Sequence, residues 1–385
     1  MLRIGLIVFC LSVFAQSCFA HDPSAWGGTF RTRDGGETWM PVDAGLFVGG
    51  AITMAIDPLD ANHLLYATDT RLLRSHNGGR DWVQDPSPIF IGPTLAVAFA
   101  RDGKTVLAAT AAGVYAAGSG AQWKPVNIPS SASPALNILT GTQPSQFYVV
   151  GAHGTYRSDD GGQTWKRIGE ALPNAPTAMA IADDVPGALV ALVQGALYTS
   201  ADDGASWQAH SSGLPDGKLE MLAADTAAKR IWAGGAGRLF RSDDRGNSWS
   251  AVGQPLPDPN TRMRGVIASA DSNTLAVSTH RGLYRSTDGG RIWQQAQGSL
   301  PVHLEAGALV RDPHEAATVY LPFSLTPYHE IRRRALEGSN LLSQIDTFSL
   351  IGAGAFFILF VVAGGYAVRK LMQTPGERTS STGTN

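Results

Sequence analysis

Beyond residue 18 the chain contains no cysteine; Cys10 and Cys18 both fall within the first twenty residues. That stretch has the order of a secretory signal: Arg3, an apolar run over residues 4–15, then Cys18-Phe19-Ala20 as a small-residue cleavage site. Removing residues 1–20 would leave a mature chain with neither disulfides nor cysteine-ligated metal. His21 would become the new terminus and is read as a frayed end rather than a copper ligand. Charge is also sparse: 16% of residues are charged and the formal net charge is −2. Nucleic acid is therefore not an expected partner. No histidine cluster has metal-ligand spacing, no GxSxG nucleophile is present, and no phosphate loop follows a strand–helix pattern. Neither a metal nor a cofactor is expected.

What the chain does have is a repeat. Trp39, Trp82, Trp123, Trp165, Trp207, Trp249 and Trp293 follow one another at steps of 43, 41, 42, 42, 42 and 44 residues. A fixed period of this length marks a repeat architecture. Each tryptophan ends a version of Ser/Thr-x-Asp-x-Gly-x-Ser/Thr-Trp, best formed as Ser158-Asp160-Gly162-Thr164-Trp165. Asp in a tight turn accepts backbone N–H bonds, and Gly supplies positive φ. The hydroxyl closes the turn, and the indole opens the next strand. Asp34, Asp202, Asp244 and Asp288 hold the Asp position before Trp39, Trp207, Trp249 and Trp293, and the amide Asn77 takes it before Trp82. Before Trp123 the motif has decayed: Gly118 replaces the Asp, and Gly120 survives. These recurring residues are expected to be structural.

Each period also shows four short β-forming runs separated by Gly, Pro and Asp turns, as at 136–139, 146–150, 154–158 and 165–168. Four strands per period of this length describe a propeller blade. Residues 26–42 supply the last two strands of a blade and 305–323 the first two. Pairing them would close a seventh blade and remove the open sheet edges. The expected fold class is thus all-β, a seven-bladed propeller over residues 21–327, with a C-terminal transmembrane helix. Residues 328–347, with Arg332, Arg333 and Arg334, read as a linker or short helix whose basic run is solvated or meets anionic lipid. Residues 348–368 carry no charge over 21 positions, long enough to span a bilayer, and 369–385 follow as a polar cytoplasmic tail. The expected location is the cell membrane, with the propeller on the periplasmic or extracellular side.

Residues that break a repeat are better site candidates than those that recur. Arg31, Arg74, Arg157, Arg241 and Arg285 recur at one offset, so they belong to the blades rather than to an arginine triad. On the face opposite the Asp turns, Asp69, Arg71, His153, His280 and Arg281 depart from the pattern. Glu220, Arg264 and Glu305 stand at the start of three successive innermost strands, near the channel. Two carboxylates about an arginine could bind or catalyse; they also suit a salt-bridged channel mouth.

The recurrent turn, carried by GTYRSDDGGQTW at 154–165 and GLYRSTDGGRIW at 282–293, resembles the Asp-box or bacterial neuraminidase repeat. A single seven-bladed ring with a box in nearly every blade is similar to the photosystem II assembly and stability factors and their relatives in non-photosynthetic bacteria. That resemblance implies a non-enzymatic scaffold, with a membrane protein or membrane complex as partner. It also implies boxes that lie on the periphery, away from ligand sites. The alternative is a glycan-binding propeller or glycoside hydrolase. Sialidases share the box, but their catalytic set cannot be placed here. Xyloglucan-degrading enzymes place their cleft between two propellers, and one is present.

Overall fold

The computed structural model describes residues 27–337, apart from 44–45, 119–121, 183–184, 216–217, 226–228 and 297. Seven antiparallel sheets follow one another along it. Blade 1 is built from Ala51–Ile56, Leu64–Thr68, Leu72–Ser75 and Val83–Gln84. Blade 2 uses Thr94–Phe99, Thr105–Thr110, Gly113–Gly118 and Lys124–Pro125, and blade 3 Ala135–Thr140, Phe147–Gly151, Thr155–Ser158 and Lys166–Ile168. Blades 4, 5 and 6 begin at Ala178–Ile181, Leu219–Asp225 and Met263–Ala268. Blade 7 is composite. Val319–Ser324 pairs on one side with Glu305–Ala306 and Val310–Arg311, and on the other with Gly28–Thr32, whose outer neighbour is Met40–Pro41. Thr29 lies opposite Pro322 in that seam.

The second strand of a blade is shielded on both edges by sheet neighbours and on both faces by adjacent blades. Its sequence is accordingly a continuous apolar run rather than an alternating one. Leu64–Thr68, Phe147–Gly151, Leu189–Val193 and Leu275–Thr279 are buried at every position. Each such leucine, valine or phenylalanine contributes about 1.5–3 kcal/mol by leaving water, so these strands carry much of the cohesion. Fourth strands, as at Val83–Gln84, are exposed and only two or three residues long.

The Asp turns are internally bonded loops between third and fourth strands. In blade 3 the N–H groups of Gln163 and Thr164 donate to Asp160, the Thr164 hydroxyl donates to its other oxygen at 2.6 Å, and Gly162 N–H donates to the Ser158 hydroxyl. Gly162 adopts φ 90°, and a Cβ there would stand 3.3 Å from Leu107 of the preceding blade. The preceding turn position is less strict, since Asp203 and Arg245 hold its positive φ without being glycine. The indoles divide into two groups. Trp39, Trp165, Trp207 and Trp249 donate to the glycine carbonyl of their own turn. Trp82, Trp123 and Trp293 donate instead to Val42, Asp85 and Gln254 of the preceding blade, fastening blade to blade.

The expected fold class is corrected in one respect. Among the described residues no helix is long and apolar enough to cross a membrane. The α-helix there is α1, Tyr328–Leu336, only nine residues long; at 1.5 Å per residue it reaches about half the thickness of a bilayer core. The expected span 348–368 lies outside the described residues, as do 1–20 with both cysteines, His21, the 369–385 tail and Gly120.

Candidate functional site

The sheet register shows how side chains are delivered to the channel mouth. In blades 1, 2, 3, 5 and 6 the innermost strand slips by one residue against its neighbour at the same place. The residues left without a partner are Ile52, Leu95, Leu136, Glu220 and Arg264. A bulge of this kind re-aims one side chain and leaves the rest of the strand paired. Ile52, Leu95, Leu136 and Arg264 line one cavity of about 290 Å³. The mouth is therefore apolar toward blades 1–3 and charged toward blades 5–7.

Helix α1 lies across this mouth, on the face away from the Asp turns. Ile331 and Ala335 are buried against Leu95, with Ile52 and Tyr328 alongside. The Tyr328 hydroxyl donates to the Ala51 carbonyl at 2.6 Å. Burial pushes its phenol pKa well up. Gly307 makes room for it: a Cβ there would stand 2.6 Å from the Tyr328 hydroxyl. Glu305 Oε2 accepts the Tyr328 N–H at 2.9 Å and a guanidinium nitrogen of Arg264 at 3.3 Å. A carboxylate at the first N–H of a helix also meets the positive end of its dipole. Arg264 in turn lies over the Tyr328 ring, 5.7 Å from its centre. A nine-residue helix is marginal alone in water, so these contacts hold it in place.

Of the residues singled out from the sequence, the channel-mouth group lies together. Arg264 pairs with Glu305. Glu220 Oε1 accepts the Met263 N–H at 3.0 Å and lies within the field of Arg262 and Arg264, while burial raises its pKa. Asp69 adjoins the group: burial raises its pKa, and it feels Arg71 and Arg334. Its N–H donates to the Gly50 carbonyl. His280 accepts the Arg262 N–H on Nδ1, and burial, then Arg281, lower its pKa. The others stand apart. Arg71 bonds to Gln84 and Thr70 at the rim, and Arg281 pairs with Asp258. His153 lines a separate cavity of about 320 Å³ with Arg167 and Glu170. Of the recurring arginines, Arg74 pairs with Asp85, Arg241 with Asp243, and Arg157 with Asp159 and with Asp203 of blade 4, while Arg31 donates to the Gly78 carbonyl of blade 1.

Tyr328 was not singled out from the sequence, and Arg332 was read there only as part of a basic run that is solvated or meets anionic lipid. The signal was there: Tyr328, Ile331 and Ala335 have helical spacing, interrupted by three arginines. Those arginines are not equivalent. Arg333 pairs with Glu330 and Glu337, and Arg334 with Glu330, on the outer side of α1. Arg332 lines the cavity instead. No group of three or more acidic, His or Cys side chains able to hold a metal occurs among the described residues.

Taken together, the fold and the turns define an Asp-box β-propeller. The model of the BNR/Asp-box repeat family matches residues 156–167. No curated protein matches the chain in sequence. Among solved structures it is similar to YCF48 bound to a D1 peptide, at 16% identity and TM-score 0.53, covering 73% of this chain and 94% of that one. It is also similar to an ancestral GH74 enzyme, at 17% identity and TM-score 0.53, covering 70% of this chain and 43% of that one. A third is the extracellular domain of a two-component system from B. thetaiotaomicron, at 12% identity and TM-score 0.57, covering 72% and 37%. The chain thus spans less than half the length of the last two. These likenesses concern the fold.

Proposed function

We propose that the protein is a protein-binding scaffold that receives its partner on the face carrying α1. The observation that supports this reading most is the distribution of exposed apolar side chains. Of the ten large apolar side chains exposed among the described residues, Leu46, Phe47, Ile91, Val302, Leu325 and Leu336 lie on loops of that face or on α1 itself, against Met40, Leu59, Val83 and Ile292 elsewhere. Apolar groups gathered around a rigid rim suit contact with another protein. The similar fold of YCF48 bound to a D1 peptide is consistent with a peptide or protein ligand. The resemblance to assembly and stability factors favours a partner within a membrane complex. The secretory-type residues 1–20 favour a place outside the cytoplasm.

A glycoside hydrolase reading has less support. Its two candidate carboxylates are already engaged, Glu305 by Tyr328 and Arg264 and Glu220 by Met263. The deciding experiment places a photo-crosslinking residue at Ile91 in intact cells. A discrete protein adduct is expected; no adduct, together with turnover of a sialoside or xyloglucan, would establish the hydrolase reading instead.

A further inference from the structure

Beneath α1 the cavity holds two cations and too few anions. Arg332 reaches it from the helix, and Arg264 from the bulge of blade 6. Among the described residues Arg332 has no hydrogen-bond or ion-pair partner, because the helix carboxylates Glu330 and Glu337 are taken by Arg333 and Arg334. Arg264 donates to Glu305, but its Nε is buried and has no acceptor. The rest of the lining is apolar apart from Thr53, Asn137 and Tyr328, whose hydroxyl is taken by the Ala51 carbonyl.

Arg332 keeps accessible surface where it lines the open cavity. Burial, then Arg264, push its pKa below the ordinary value, and no carboxylate acts on it in the opposite sense. Two like charges beside an apolar wall are costly unless an anion joins them.

We propose that this cavity binds a small organic carboxylate, its oxygens between Arg332 and Arg264 and its apolar body against Leu95, Leu136 and Ile138. Guanidinium groups suit this geometry because each can offer a carboxylate two parallel N–H donors. About 290 Å³ is at the small end of ligand pockets and fits an acid of a few carbons or one aromatic ring. Access does not require α1 to leave. The cavity shares Met54, Val97 and Asn137 with a second, of about 630 Å³, whose lining continues to Arg101, Arg311 and Pro313 at the other end of the channel. The site goes beyond the scaffold reading and is independent of it, since it lies under the helix rather than on the outer face.

The test is calorimetry and thermal denaturation of the full-length protein with butyrate and benzoate, and with the neutral amides butyramide and benzamide. Inorganic phosphate and a peptide with a free C-terminal carboxylate complete the set. Saturable binding of the acids is expected, with a rise in Tm that the amides do not produce. Arg332→Gln should weaken that binding by about tenfold and leave the ligand-free Tm unchanged or higher, because a like charge has gone. A purely structural Arg332 would instead lower the ligand-free Tm. Equal responses to acid and amide, or unaltered binding in R332Q, would overturn the proposal. Equal binding of phosphate would mean an adventitious anion, and tighter Arg332-dependent binding of the peptide would mean a macromolecular ligand; either would also overturn it.

Discussion

Glu305 Oε2 accepts the backbone N–H of Tyr328 at 2.9 Å, so an acidic residue of blade 7 caps a helix that begins more than twenty positions later. The same oxygen holds Arg264. One carboxylate therefore ties α1 to both blade 7 and blade 6, and the paired charges that suggested chemistry in the sequence act here as a latch.

Removing that charge should loosen the helix without opening the ring. Glu305→Gln is expected to cost about 1.5–3 kcal/mol of helix docking, the range for hydrogen bonds to charged groups. Hydrogen exchange should speed up across Tyr328–Leu336 and stay slow in Leu189–Val193 of blade 4. Gly307→Ala should act in the same direction by displacing the Tyr328 hydroxyl. Uniform acceleration across all blades would show that α1 is integral to the ring rather than latched onto it.

Stability should have two regimes in pH. In the turns, burial alone would raise Asp34, Asp160 and Asp244, but the hydrogen bonds they accept outweigh it and lower all three. Asp202 is held at about 2, chiefly by the Ser206 hydroxyl. A folded pKa below the unfolded value of about 3.9 means stability that is complete above that value and lost as pH falls through the folded one. Asp43, Asp69 and Glu220 have the opposite sign: burial raises them, so the folded state takes up protons first and gains as pH falls from neutrality. The thermal midpoint should rise gently below pH 7, then fall steeply below about pH 4. A midpoint flat down to pH 2.5 would contradict this assignment.

Partner capture should depend on which face is altered. Ile91 is 80% exposed on the loop that joins blade 1 to blade 2, and Leu59 is 71% exposed on the opposite face. Either residue changed to Glu should leave stability within about 0.5 kcal/mol. Ile91→Glu should weaken partner binding by about tenfold or more, the loss expected of an interface anchor, while Leu59→Glu should not. Quantitative crosslinking of the two variants side by side separates these outcomes, and equal yields would remove this face from the interface.

The ring was legible in the sequence because its markers are chemically unusual. A tryptophan after Asp-x-Gly-x-Ser/Thr, spaced by about one blade, is hard to produce by chance, and even the decayed copy kept Trp123. The site was legible only in part. Glu220, Arg264 and Glu305 stood out as charges where the repeat expects apolar residues, and the structure brings them together. The bulges that aim Glu220 and Arg264 left no mark, because the unpaired residue is Ile, Leu, Glu or Arg and the slip is a property of the backbone. Helix α1 was obscured for a different reason. Its apolar face is three residues wide, and the neighbouring arginines suggested solvent, although one of them turns inward. The transmembrane helix read from an uncharged run has no counterpart among the described residues.

Closing the ring with Gly28–Thr32 against Val319–Ser324 also imposes an order of events during synthesis. The first of these strands emerges early, with only the short Met40–Pro41 beside it, and its inner partner is made when almost the whole propeller is complete. For that interval it presents an unpaired edge open to the wrong neighbour. Helix α1 leaves the ribosome later still, and its resting place is assembled from Ile52, Leu95 and Glu305 of blades 1, 2 and 7. Those three blades meet only when the circle is complete. A seated α1 thus reports that the last blade has joined the first, and a partner that recognises the helix in place would engage finished rings and pass over unfinished ones.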